Sequence, residues 1–247
     1  MKSHLASLLS CSALFAFSTA DAFSQAGTPV PTKLAPPNAP EPAKTPPRIR
    51  YKPPVAGAPV VRGTGGSRGG SPMPALYVLA PVQEGRTTNP RPTVFWFQSA
   101  PANADFELTL TEPMKPQPLL FLKGSRQQSA GIHSLSLSRR KITLKPNVSY
   151  LWNVALIPNS KGRSADTFAS GGIRYVEAPA DLKAKIQSAS QAERATIYAE
   201  AGYWYDAIQS ISTAIAAEPD NKALHRLRAS LLEQGKLKEV AAAEKKY

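Results

Sequence analysis

Ser67 is the residue whose surroundings come nearest to spelling a reaction. Gly65-Gly66-Ser67-Arg68-Gly69 fits the G-x-S-x-G pattern of a nucleophile elbow. That pattern works when a sharp strand-to-helix turn holds the serine hydroxyl out. Here a proline-rich run precedes the serine and Ser71-Pro72-Met73-Pro74 follows it, so the required helix cannot start well. A basic flexible linker is the better reading, and a hydrolase is the most distant alternative. Ser134, His133 and Asp166 supply the residue types of a catalytic triad, but nothing in their local sequence joins them. Asp105 and Glu107 share one face of an alternating segment, as a pair of catalytic carboxylates can; a solvated strand face is the simpler account. The three histidines, His4, His133 and His225, show no metal-ligand spacing, and Cys11 is the only cysteine. No catalytic, cofactor or metal site is therefore expected.

Residues suited to binding are easier to find. Arg139-Arg140-Lys141 forms a basic turn, and Lys161 and Arg163 lie in the loop before the last expected strand. Brought together, the two loops would make a basic edge for an anionic ligand. Trp204 and Tyr205 mark a second candidate surface, on a helix.

The elements that must position these residues fall into four segments. Residues 1–22 read as a signal peptide: Lys2, then an apolar run over 5–17 too short to span a bilayer, then Ala20-Asp21-Ala22 as the cleavage site before Phe23. Too little apolar sequence precedes Cys11 for an ordinary lipoprotein signal. Cleavage would leave a mature chain without cysteine. Residues 23–74 are rich in Pro and Gly and lack apolar periodicity, which predicts a disordered linker. Residues 28–75 carry seven Lys/Arg against one acid, 76–178 twelve against six, and 179–247 ten against nine. The net charge of +13 thus sits on the linker and the middle of the chain. An exported basic protein suits anionic polymers, lipid headgroups or acidic partners better than nucleic acid.

Residues 75–178 predict an antiparallel β-sandwich. Strands are expected at 75–80, 93–98, 105–111, 119–122, 132–137, 148–157 and 172–176, punctuated by Pro and Gly. Asp105 to Thr111 alternates strictly, with Phe106, Leu108 and Leu110 on one side. Residues 179–247 change to helical periodicity. Trp204, Ile208, Ile211 and Ile215 recur on one helix face, and Leu224, Leu227 and Leu231 on the next. The fold class is α+β: a sandwich followed by a helical hairpin or bundle.

Three resemblances extend this reading. Leu144-x5-Tyr150-x-Trp152 resembles strand F of immunoglobulin-like domains, where the Tyr ties the preceding turn to the sheet. That resemblance places Tyr150 and Trp152 on one face, packed with Phe95 or Trp96 of the opposite sheet. Tyr198-x3-Gly202-x-Trp204-x2-Ala207-x3-Ile211-x2-Ala214-x4-Pro219 resembles a tetratricopeptide repeat, and Leu224, Leu227, Leu231, Gly235 and Leu237 resemble the next unit. So few repeats cannot make a free-standing solenoid, so the helices must cap the sandwich or bind a partner. Finally, Leu79-Ala80-Pro81-Val82, Pro92-Thr93-Val94-Phe95-Trp96-Phe97, Tyr150-x-Trp152-x-Val154, Gly172-Ile173-Arg174-Tyr175-Val176 and Trp204-Tyr205-Asp206-Ala207 resemble the domain-of-unknown-function 928 family of exported bacterial proteins. The resemblance implies an architecture and no activity. The expectation is a non-catalytic envelope protein that binds a protein partner. The alternative is a binder of polyanions or glycans through its basic tail and turns.

Overall fold

The computed structural model describes residues 48–54, 73–124 and 126–247. The expected signal peptide, Cys11, Ser67 and most of the linker lie outside the described residues. The strands in chain order are β1 (Leu76–Val78), β2 (Gly85–Thr87), β3 (Thr93–Gln98), β4 (Ala102–Asn103), β5 (Asp105–Thr111), β6 (Leu120–Gly124), β7 (Gln127–Gln128), β8 (Gly131–Ser136), β9 (Ser149–Ile157) and β10 (Thr167–Tyr175). They are followed by α1 (Ala180–Gln187), α2 (Gln191–Glu200), α3 (Trp204–Ala217), α4 (Lys222–Gln234) and α5 (Lys238–Glu244).

One sheet has the order β1-β3-β8 and the other β2-β10-β9-β5-β6, with β4 and β7 forming a short ribbon. The sheets face each other through Trp96 of β3 and Phe106 of β5, whose rings stack at 5.2 Å. β5 behaves as its alternation requires: Phe106, Leu108 and Leu110 are buried and the residues between them half-buried. β3 does not alternate, because both of its faces are covered. Trp96 points into the sandwich, and Phe95 and Phe97 point the other way, toward the helices. The Tyr150 hydroxyl accepts a hydrogen bond from the Lys145 N–H at 3.1 Å, which ties the turn before β9 to the sheet.

β2, β4 and β7 are additional to the expected strands, and β10 differs in extent. β2 has no apolar pattern at all, and it pairs with β10 in parallel, so the five-stranded sheet is not wholly antiparallel. β10 begins five residues before the expected 172, at Thr167, and Ser170-Gly171-Gly172 in its middle masks it from a propensity reading. Leu119 and Leu137 fall just outside β6 and β8.

The helices form two hairpins, α2 with α3 and α4 with α5, in the order the repeat resemblance implies. They pack on the β-domain. No helix among the described residues is long and apolar enough to cross a membrane. Residues 48–54 depart from the linker expectation: Ile49 and Tyr51 are buried against the helices. Two apolar side chains and several backbone hydrogen bonds outweigh the entropy that proline-rich flanks favour.

Candidate functional site

Trp204, Tyr205 and Asp206 open α3, and each sends its polar atom to a different part of the β-domain. Trp204 Nε1 donates to the Leu79 carbonyl at 2.8 Å. The Tyr205 hydroxyl donates to the Gly172 carbonyl and accepts from Trp152 Nε1, both at 2.8 Å. Asp206 accepts from the Thr88 N–H at 2.9 Å and the Thr88 hydroxyl at 2.7 Å. With residues 48–54 in place, Trp204 and Tyr205 are at most 1% exposed, so they form a sealed joint within the chain. A side chain at Gly235 would collide with the Trp204 ring, so glycine stands there to admit the indole. Trp152 meets this joint through its N–H; of its two expected neighbours, Trp96 points into the sandwich and Phe95 faces away from it. Burial raises the Asp206 carboxyl from 3.8 to about 6, against the opposing hydrogen bonds from Thr88.

The basic candidates do not converge. Arg139, Arg140 and Lys141 are exposed in the turn that leads into the start of β9, while Lys161 and Arg163 follow its far end. A strand of this length separates the two loops by about 25 Å, so the single basic edge does not form. Arg163 is also engaged, with Glu107 at 3.1 Å and with Asp166 at 2.5 Å. The paper triad dissolves in the same way. His133 Nε2 stands 2.9 Å from the Ser129 carbonyl, and its ring stacks on Trp96. Asp166 is held by Arg163, and Ser134 points to the opposite face of β8 from His133. Asp105 and Glu107 each hold an arginine, Arg126 and Arg163 respectively, and so behave as a charged strand face. Among the described residues no three His, Cys, Asp or Glu converge as metal ligands do.

What the structure does build is a cleft of about 780 Å³. One wall is the outer face of the three-stranded sheet, with Phe95, Phe97, Ile132 and Ser134. The other comes from the second half of α3 and from α4 and α5, with Ile215, Ala216 and Tyr247. This volume falls within the range of ordinary ligand clefts. Its helical wall is stiffened by a buried charge cluster. Glu244, 3% exposed, receives both carboxylate bonds from Arg228 Nη2, at 2.8 and 2.9 Å. His225 Nδ1 lies 2.5 Å from the same carboxylate, and His225 Nε2 lies 2.8 Å from the Pro219 carbonyl. Arg228 Nη1 reaches the Ser212 hydroxyl at 3.2 Å. Both ring nitrogens of His225 are thus occupied, so the ring is not aimed into the cleft as a free base. Its face stacks on Tyr247 at 4.9 Å. The cluster binds α3, α4, α5 and the intervening turn into one wall, and the cleft is lined by apolar and aromatic groups together with the exposed Ser134, Asp220 and Lys246.

Sequence reasoning missed this cleft. Its only signal was that Phe95 and Phe97 break the alternation of β3.

Residues 63–245 match the profile of the family described as Domain of Unknown Function (DUF928). A comparison with curated proteins found no match. Among solved structures, a chitin-binding domain from Burkholderia pseudomallei aligns at 11% identity and a TM-score of 0.27, over 39% of this chain and 61% of that domain. A polysaccharide monooxygenase, CBM33, aligns at 13% identity and a TM-score of 0.27, over 48% of this chain and 78% of the other. A multi-domain immunophilin from Arabidopsis thaliana aligns at 10% and 0.16, over 62% and 92%. These likenesses are shallow, and nothing about binding or activity follows from them.

Proposed function

The chain belongs to the Domain of Unknown Function (DUF928) family, and from that premise we propose that it is an exported, non-catalytic protein of the cell envelope that binds another protein as an adaptor. The observation that carries this reading is the cleft. Its walls are a sheet face and a helical layer, both held by buried contacts, and its accessible groups are mainly apolar or aromatic. A preformed apolar trough beside a rigid charge cluster suits a partner segment with apolar side chains. Among the described residues, His133, His225 and Asp166 are paired with neighbours.

A photo-crosslinking residue in place of Tyr247 tests the reading in the full chain. Irradiation of the native envelope fraction should yield one dominant adduct, lost on Phe97→Asp. Equal adducts from both forms would sink it. Export is tested separately by the mass of the mature protein, which should begin at Phe23.

A second reading, a binder of anionic polymers, is favoured by the exposure of Arg139, Arg140 and Lys141 and of Arg48, Arg50 and Lys52. It expects salt-sensitive retention on an anionic polysaccharide. Retention unchanged by Arg139→Glu with Arg140→Glu and Arg50→Glu would exclude these groups.

A further inference from the structure

Residues 48–54 lie on the helices as a bound peptide would. Ile49 and Tyr51 are buried while Arg48, Arg50 and Lys52 are exposed, the alternation of an extended segment. Gln234, which ends α4, meets the main chain of this segment in both directions. Its Oε1 accepts from the Tyr51 N–H at 2.7 Å, and its Nε2 donates to the Ile49 carbonyl at 3.0 Å. The Lys52 N–H donates to the Ala199 carbonyl, in the last turn of α2, at 3.0 Å. Gly202 has φ +82°, and a Cβ there would lie 2.9 Å from the Lys52 carbonyl oxygen. Glycine therefore permits both the turn and the approach of the peptide. The Tyr51 ring meets Trp204 edge-on at 4.8 Å.

These contacts divide by what they read. Those of Gln234, Ala199 and Gly202 engage backbone and are indifferent to sequence. Selectivity rests on the two buried side chains, and one of them fits imperfectly. The Tyr51 hydroxyl is buried with no hydrogen-bond partner among the described residues. A buried donor left unpaired weakens its own docking. Phenylalanine would fill the same space without that penalty. The ends of α2 and α4 lie beside the segment, and helix C-termini favour cationic flanks.

We propose that this groove is a peptide-recognition site, filled here in cis, whose ligand in trans is an extended segment of a partner protein with an aliphatic residue, one spacer, then phenylalanine, flanked by cations. The site is separate from the cleft, so either can fail without the other. The resident segment belongs to the same chain, so its binding is intramolecular and has the advantage of a tethered ligand. A partner segment must therefore bind better than the resident, and the resident keeps weak ligands out.

The probe is a labelled synthetic peptide copying residues 48–54 with Tyr51→Phe. The protein is the full chain with a protease site inserted between Gly65 and Gly66, compared before and after cutting. Cutting should tighten peptide binding at least about tenfold, because the resident loses its tether. The unaltered copy, keeping tyrosine, should bind about tenfold more weakly than the phenylalanine form. Gln234→Ala should weaken both by about tenfold with the circular dichroism unchanged. Binding that ignores the cut, or that survives Gln234→Ala intact, overturns the proposal. So does a doubled mass of the uncut chain, which would make a second copy the occupant.

Discussion

The two ends of α3 do opposite jobs. At its start, Trp204, Tyr205 and Asp206 are sealed, each bonded to a separate piece of the β-domain. Toward its end, Ile215 and Ala216 help to wall a cleft of about 780 Å³. The sealed end holds the most conspicuous aromatic motif of the helices, and the open end holds residues that look ordinary in sequence. Aromatics with a polar handle serve well as mortar when every handle finds a buried partner. A partner surface needs the reverse, apolar groups whose contacts are incomplete within the chain.

The comparison breaks most readily at Trp204. Trp204→Ala should cost about 3–5 kcal/mol in urea unfolding, since a fully buried ring and its hydrogen bond are lost together. A cost below about 1 kcal/mol would mean that the joint is not sealed. Next comes Asp206. Its carboxyl takes up a proton more readily folded than unfolded, from 3.8 to about 6. Its contribution to stability is therefore complete below about pH 3.8 and lost as pH rises through about 6. The full shift corresponds to about 3 kcal/mol, of which roughly 2.4 falls between pH 4 and pH 7. Unfolding of Asp206→Asn across that range should show a shallower decline than the parent by about that amount; parallel curves would refute the assignment.

Tyr205→Phe should cost about 2 kcal/mol, because it strands the Trp152 N–H and the Gly172 carbonyl in the core. Tyr247→Ala is the smallest effect and the sharpest contrast. That side chain is 67% exposed, so stability should change by less than about 0.5 kcal/mol. Capture of the partner should nonetheless fall, as measured by the same crosslinking chemistry moved to Ala216. If stability falls instead, the open end is part of the core.

Much of the fold was legible before any coordinates. β3 and β5 fall on the expected residues because β-branched and aromatic runs of that length have few other uses. Tyr150 could be read because its bond spans five residues to Lys145. β2 was not readable: Gly85-Arg86-Thr87 carries no pattern, and only pairing with β10 and cover from α3 make it a strand. The basic edge failed for a related reason, since sequence shows which loops are basic but not which end of β9 each one occupies.

The sequence by itself determined the local periodicities, and through them the order of most strands and of the helices, and the family. Those properties depend on neighbours within a few residues. Tertiary structure alone decided that Trp204 and Tyr205 are buried, that residues 48–54 return to the helices, and that a sheet face and three helices enclose a cleft. Gln234 and Tyr51 are 183 residues apart, and Trp204 and Leu79 are 125 apart. Contacts at such separations answer to packing and loop closure, which local sequence does not encode.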